Sequence, residues 1–260
     1  MSNEGIARRS IGIRMIRHAE SKNNQVYRDA RRLFKGGTTD FDKEGWINYV
    51  NLHRSHDPAI SPAGEMQAES LKEYLAPHLN NQASHPVRII TSPMRRTMQT
   101  ILPTLKELKG QVEILVNGLY FESEGCHIKG QPHPGMNQIE IKEFLSSATS
   151  SPKFVGFDQD PTAGWYAHGT GFETRAESEE RAVAFYTWLC DYLDLQLQSD
   201  DEDLFDAGVA LPGEVGEIES DKLSPRQRRR RTAVLIGHGD FMSLVLKRIV
   251  AGFGHSIGEW

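Results

Sequence analysis

The sequence predicts an α/β fold, a three-layer α/β/α sandwich around a mostly parallel central sheet. Short runs rich in β-branched residues, typical of buried strands, occur at residues 11–16, 87–91, 112–116 and 232–236. Segments with helical spacing lie between these runs, and strands that alternate with helices form parallel sheets covered on both faces. The chain of 260 residues is also long enough to bury a sizeable core.

Four helices are predicted from apolar spacing and from capping residues. A Ser-Pro pair, which supplies an N-cap and a first-turn proline, stands at residues 61–62 and again at 92–93. Each pair predicts that a helix starts there. Two further helices are predicted at about 175–195 and 241–250, the latter directly after the last strand.

Two long stretches do not fit this alternation. Residues 123–172 are rich in Gly, Pro, His and Ser, and residues 198–231 run from the acidic "SDDEDLFD" to "RQRRRR". Both are predicted to be insertions in a single domain that spans residues 1–260. We interpret the arginine run as a solvated loop tip beside the acidic stretch that it neutralises, in preference to a nucleic-acid or targeting patch.

Composition narrows the classes of partner and compartment. The net charge of −5 argues against nucleic acid as the main partner. The two cysteines, Cys126 and Cys190, have no metal-ligand spacing and cannot make a disulfide framework, which favours a reducing compartment. The N-terminal "MSNEGIARRS" has no apolar core, and no segment approaches the ~18 apolar residues of a membrane span. We therefore expect a soluble, cytoplasmic protein without a membrane partner.

Charged side chains follow the predicted strands at the points where the strands end. They are Arg17 and His18 after the first, Arg95 and Arg96 after the second, Glu122 and Glu124 after the third, and His238 after the fourth. Because ligands of open parallel sheets bind beyond the carboxyl ends of the strands, these residues are expected to meet at one edge. The set is more informative than any member, since one Arg-His pair occurs often by chance.

The chemistry of the set predicts an oxyanion ligand. The planar fork of arginine binds two oxygens of a phosphate or carboxylate at fixed geometry. Arg95 and Arg96 stand at the start of a predicted helix, where each cation opposes the helix dipole by ~0.3–1 kcal/mol, so we expect an anionic partner there. Nearby arginines lower the pKa of His18, which leaves a neutral ring nitrogen available as a nucleophile.

Five blocks of the sequence resemble signatures of the histidine phosphatase superfamily, also called the phosphoglycerate mutase-like family. They are "RHAESKNN", "ISPAGEMQA", "TSPMRRTMQT", "ETRAESEER" and "VLIGHGDF", in the family's order over roughly residues 11–250. The resemblance implies a phosphoglycerate mutase-like sandwich and a phosphatase that needs no metal and no cofactor.

The resemblance also implies a role for each residue of the set. His18 would attack phosphorus and become a phosphohistidine. A carboxylic acid after the third strand would protonate the leaving oxygen and then activate water; Glu122 is the first choice and Glu124 the alternative. The residues implied to hold the phosphoryl oxygens are Arg17, Asn24, Arg96 and His238.

The sequence departs from the family's pattern at three places. Ala19 replaces a glycine and Thr97 replaces an alanine, and both changes are mild. The family implies one more edge strand after the last helix, but the chain ends at "GHSIGEW". Either the protein lacks that strand or the C-terminus is incomplete, and an uncovered edge would leave backbone groups unpaired.

Two alternative functions remain open. A phosphoglycerate mutase-type phosphotransferase is less favoured, because "FESEGCHIKG" lacks the arginine that mutases of the family carry after the third strand. A non-catalytic phospho-ligand-binding protein is supported by the missing strand and opposed by the intact set of charged residues.

The substrate is expected to be a phosphorylated small molecule in preference to a phosphoprotein. The predicted mouth of the site has a basic cluster at residues 28–37, and specificity is expected to come from the loops at 25–60 and 123–172. Side chains there that could meet additional substrate charge are Lys22, Lys35, His127, Lys129 and His133.

Overall fold

A five-stranded parallel sheet forms the centre of the protein. The computed structural model describes residues 11–34, 41–81, 86–149, 151–166, 172–206 and 231–252. The strands are β1 (Ile11–Arg17), β2 (Val87–Thr91), β3 (Val112–Asn117), β4 (His127–Ile128), β5 (Gln131–Pro132), β6 (Lys153–Val155) and β7 (Arg231–Gly237). The central sheet has the order β1-β7-β2-β3-β6, and β4 and β5 form a separate antiparallel hairpin.

Helices cover both faces of this sheet. The helices in the described ranges are α1 (Lys22–Phe34), α2 (Lys43–His53), α3 (Pro62–Asn80), α4 (Arg95–Glu107), α5 (Gln138–Leu145), α6 (Arg175–Asp206) and α7 (Gly239–Gly252), and α3 to α7 are those that pack on the sheet. None of the helices in the described ranges is long and apolar enough to cross a membrane.

Alternate residues of the strands supply two separate cores. In β7, Val234 and Ile236 pack in a cluster with α3, α4 and α5, whereas Ala233 and Leu235 pack in a second cluster with α6 and α7. Successive side chains of a strand point to opposite faces, so a strand buried on both sides reads as a continuous apolar run. The predicted three-layer α/β/α sandwich is confirmed.

The four predicted strands are all present, and the sheet has a fifth that the sequence did not reveal. β6 lies within the predicted insertion at 123–172 and pairs in parallel with β3, with Leu115 opposite Lys153. The strand has only three residues, too few to show a pattern. The segment therefore contributes an edge of the central sheet.

The second predicted insertion begins with helix. α6 continues to Asp206, so the acidic "SDDEDLFD" is helical. Residues 207–230, which hold most of the arginine run, lie outside the described residues, as do residues 253–260. Within the described part of the chain, β1 is at an edge of the sheet and pairs only with β7.

The two Ser-Pro pairs have different outcomes. Ser61 caps α3 as predicted, with its Oγ accepting a hydrogen bond from the backbone N–H of Gly64 at 3.1 Å. The prediction for Ser92 is wrong, because α4 begins only at Arg95. Ser92 Oγ instead accepts from the N–H of Met94 at 3.2 Å and lies 2.8 Å from His238 Nε2, which places this hydroxyl in the site.

Candidate active site

A cavity of about 190 Å³ opens beside the carboxyl ends of the parallel strands. Predicted site residues that line this cavity are Arg17, His18, Asn24, Arg96, Glu122 and Glu124. The sheet brings these residues together because β1, β7, β2 and β3 are neighbours and run in the same direction.

His18 is held in one tautomer and one orientation. Its backbone N–H donates to the carbonyl of Gly237 at 2.9 Å, and its side chain is only 8% exposed. Ring Nδ1 donates to the carbonyl of Ala19 at 2.7 Å, and Arg96 Nε donates to ring Nε2 at 3.1 Å. The lone pair is therefore on Nε2. Burial, together with the Arg96 and Arg17 charges, lowers the pKa of His18 to about 3, so the imidazole is neutral at neutral pH.

The Arg96 guanidinium bridges two histidines. Its Nη2 donates to Nδ1 of His238 at 3.1 Å, and Nε2 of His238 then donates to Ser92 Oγ at 2.8 Å. His238 is fully buried and is not among the residues that line the cavity. Burial beside Arg96 lowers the pKa of His238 well below its ordinary value. In this structure, His238 reaches the cavity through Arg96.

Arg17 and Asn24 complete the donor side of the cavity. Arg17 ends β1, and its guanidinium packs across Gly239, where an added Cβ would lie 3.2 Å from Arg17 Nε. Asn24 Oδ1 accepts from the backbone N–H of Ser21 at 3.0 Å and from the Ser21 hydroxyl at 2.9 Å. Because the amide oxygen is occupied, the Nδ2 donor of Asn24 is the group left for a ligand.

Glu122 and Glu124 lie in the turn that follows β3. Glu122 Oε1 accepts from the backbone N–H of Phe241 at 3.0 Å and of Ser123 at 3.1 Å, which anchors the carboxylate at the N-terminus of α7. Glu124 is exposed, and its backbone adopts φ of 73°. Glu122 is thus the better positioned of the two acids.

The anion predicted at the start of α4 is a side chain of the protein. Both carboxylate oxygens of Asp57 accept from the backbone N–H of Arg95, at 3.0 and 3.1 Å. Burial raises the pKa of Asp57, and the neighbouring Arg96 and Arg95 charges oppose that rise. The anionic partner expected at this helix end is thus present within the chain, as the Asp57 carboxylate. No sequence motif marks Asp57, which lies in the loop between α2 and α3.

The cavity has further basic residues besides Arg17 and Arg96. Arg54 and His56 of the α2–α3 loop line it, and the sequence did not single them out as site residues. His127, predicted at the mouth of the site as a side chain that could meet substrate charge, lines the cavity as well. The only signal for the first two is the polar "HRSHDP" just before the α3 cap. Lys22, Lys129 and His133 are not among the lining residues, and Lys35 lies outside the described ranges.

Comparison with known families supports the resemblance seen in the sequence. The family model of the histidine phosphatase superfamily (branch 1) matches residues 13–119. The matched range includes His18, Asn24 and Arg96. No curated protein matches the chain at a significant level.

Solved structures with a similar fold include several phosphatases. The ecdysone phosphate phosphatase from Bombyx mori, solved with tungstate, is 15% identical, with a TM-score of 0.50 over 96% of this chain and 82% of that one. A mycobacterial glucosyl-3-phosphoglycerate phosphatase with VO3 is 15% identical over 91% of this chain and 80% of that one, with a TM-score of 0.43. A phosphoserine phosphatase from Entamoeba histolytica is 15% identical over 96% and 87%, with a TM-score of 0.38. At these identities the likeness concerns the fold.

Proposed function

We propose that the protein is a phosphatase that hydrolyses a phosphomonoester through a phosphohistidine on His18, in line with the match of residues 13–119 to the family model of the histidine phosphatase superfamily (branch 1). The observation that carries the proposal is the neutral His18 Nε2, oriented by the Ala19 carbonyl and held 3.1 Å from Arg96 Nε in a small cavity. A buried imidazole with a free lone pair beside an oxyanion donor is suited to attack on phosphorus.

Donors around the cavity match the needs of a phosphoryl group. Arg17 and Arg96 supply two guanidinium groups, and Asn24 supplies an amide N–H. When substrate binds, Arg96 Nε exchanges its hydrogen bond with His18 Nε2 for one with a phosphoryl oxygen, which frees the nucleophile. His238 positions Arg96 through the Nη2 contact and acts on the phosphoryl group through that arginine. The arginines stabilise the spread negative charge of phosphoryl transfer, so the mechanism needs no metal ion.

The reaction proceeds in two displacements. In the first, His18 Nε2 forms a bond to phosphorus, the bond from phosphorus to the ester oxygen breaks, and protonated Glu122 gives its proton to that oxygen. In the second, Glu122 takes a proton from water, the hydroxide attacks phosphorus, and the bond to His18 breaks. Inorganic phosphate leaves, and His18 and Glu122 return to their starting states.

The proposal is tested by phosphate release from a generic aryl phosphate. We expect His18→Ala to lower kcat by at least about 1,000-fold while the circular dichroism spectrum is unchanged, because the variant has no nucleophile. His78→Ala is the matched control, since His78 is exposed on α3 and does not line the cavity; it should keep full activity. Unchanged turnover in His18→Ala would overturn the mechanism. Rapid isomerisation of 3-phosphoglycerate with negligible phosphate release would show a mutase instead.

A further inference from the structure

We propose that Arg54 and His127 form a second anion subsite in the same cavity. The substrate is then a small phosphomonoester that carries another anionic group, a carboxylate or a second phosphate. This inference rests on the proposed phosphatase function, and it assigns the substrate class of that site.

Arg54 is a cation with no anionic partner among the described residues. It lines the cavity, and it makes no ion pair with a carboxylate in the described part of the chain. Its Nη2 donates to the backbone carbonyl of His127 at 3.1 Å, while its Nε is buried and has no hydrogen-bond partner in the part of the chain that the structure describes. A half-buried guanidinium without an ion pair and with an unbonded Nε destabilises the folded protein, and a bound anion would remove this penalty.

His127 brings further unused polar atoms to the same wall. Its side chain is 11% exposed, and neither ring nitrogen has a hydrogen-bond partner among the described residues. The carboxylate of Glu124 lies 3.9 Å from Nε2, beyond hydrogen-bond distance. Burial and the Arg54 charge lower the pKa of His127 against the opposing effect of the Glu124 carboxylate, which favours the neutral ring. Most buried polar groups in proteins are paired, and a ligand would pair these.

The loop that carries Arg54 is fixed in place before any ligand binds. Ser55 N–H donates to Asn23 Oδ1 at 2.9 Å, and Asn23 Nδ2 donates to the Ser55 carbonyl at 2.8 Å. Further along, Lys22 N–H donates to the carbonyl of Ala59 at 2.9 Å. A preformed loop holds its charged group without an ordering cost at the moment of binding, which favours affinity.

The size and charge of the cavity define the class of ligand. Arg17, Arg96 and Asn24 already match one phosphoryl group, so Arg54 is in excess of what a simple phosphomonoester requires. Arg17, Arg96 and Arg54 line one cavity of about 190 Å³, so the two anionic groups belong to one molecule and are separated by a few carbon atoms.

The test measures equilibrium binding of phosphonates that cannot be hydrolysed. Propylphosphonate has one anionic group, 3-phosphonopropanoate adds a carboxylate, and propane-1,3-diylbisphosphonate adds a second phosphonate. By calorimetric titration, the wild-type protein is expected to bind at least one of the two-group ligands about 10-fold or more tightly than propylphosphonate, as charge-assisted hydrogen bonds allow. The better of the two identifies the second group.

Variants assign this preference to the subsite. Arg54→Gln should abolish the preference and leave propylphosphonate binding within about threefold, whereas Arg54→Lys, which keeps a cation, should retain part of it. Arg32→Gln is the matched control, because Arg32 is exposed on α1 and does not line the cavity. This variant should keep the full preference for the two-group ligands over propylphosphonate.

Two results would overturn the subsite. One is equal affinity of the wild-type protein for all three ligands, and the other is an Arg54→Gln variant that binds all three equally weakly, which would assign Arg54 to the reacting phosphoryl group. Because these ligands do not react, the outcome is separate from the proposed function. Phosphate release without ligand preference contradicts the subsite alone, and ligand preference without phosphate release contradicts the phosphatase alone.

Discussion

His18 and His238 both accept hydrogen bonds from the Arg96 guanidinium, with their ring centroids 5.2 Å apart, and burial and that charge keep both rings neutral. Neutrality is what nucleophilic attack by His18 requires, since a protonated ring has no lone pair. The same effect links protonation to folding. The unfolded chain binds a proton on each histidine near the ordinary value of 6.5, and the native protein does not until far lower pH.

Stability is therefore expected to fall in mild acid. The pKa of His18 is lower in the native state than in the unfolded chain. The contribution of the neutral His18 ring to the free energy of unfolding is therefore complete above pH 6.5 and is lost as the pH falls from 6.5 towards about 3. Between pH 6.5 and pH 5, one such histidine lowers the free energy of unfolding by roughly 2 kcal/mol. In urea denaturation, the free energy of unfolding should fall less over this pH range for His18→Asn than for the wild-type protein. His78→Asn should lose as much as the wild-type protein, and an equal loss in all three would refute the linkage.

The sequence alone does not decide which of the neighbouring Arg95 and Arg96 belongs to the site. Strand ends alone offered both Arg95 and Arg96, and only the resemblance selected Arg96. In the structure Arg96 is buried against His18, while Arg95 is exposed. Adjacent residues of a helix point in different directions, so one of the two had to face away. Asp57 and Arg54 could not be predicted, because their positions depend on how the α2–α3 loop packs.

Among the elements, a buried ion pair at the start of α6 holds the turn that carries Glu122. Arg181 pairs with Glu173 through Nε at 2.6 Å, and it donates to the carbonyls of Leu119 at 2.7 Å and of Phe121 at 3.0 Å. Its guanidinium lies over the ring of Phe121, 3.5 Å from the centroid. The β3 turn, α6 and α7 are connected through this one side chain, which fixes the position of the proposed acid.

Replacement of Arg181 should therefore affect both stability and catalysis. We expect Arg181→Met to lower the free energy of unfolding by about 3–5 kcal/mol, because it leaves the Glu173 carboxylate buried without its partner. The double variant Arg181→Met with Glu173→Leu should recover much of that loss. Arg175→Met is the control, since the exposed Arg175 pairs should contribute less than about 1 kcal/mol. Urea denaturation measures all four proteins, and similar losses for Arg181→Met and Arg175→Met would contradict this role.

Element boundaries show where local sequence patterns are insufficient. The positions of β1, β2, β3 and β7 and the Ser61 cap of α3 follow from composition and spacing, and these are confirmed. The burial predicted for β1 is wrong, because this strand lies at an edge of the sheet and Ile13 is 40% exposed. β6 has three residues and is defined only by its pairing with β3, which depends on the fold of distant segments. The Ser92 signal failed for a related reason, because the hydroxyl that would cap a helix is used by His238.

On the scale of the whole molecule, the parallel sheet is what assembles the site. The hydrogen bonds of Arg96 span 78 residues to His18 and 142 residues to His238, so no short segment contains the chemistry. The sequence predicts this convergence, because neighbouring parallel strands end at one edge of the sheet. The walls of the cavity come from connections whose packing the sequence does not reveal, and these walls are proposed to select the substrate.

Trapping the covalent intermediate is the most direct test of whether His18 becomes a phosphohistidine. The wild-type protein would be mixed with an aryl phosphate that carries an isotopic label in its phosphoryl group. The reaction would be quenched with alkali within milliseconds, because a phosphohistidine is stable in base and labile in acid. We predict label on His18 by peptide mass spectrometry, with its formation at least as fast as turnover, and no label on His18→Ala. Phosphate release by the wild-type protein with no label on His18, at any quench time, would contradict the central claim.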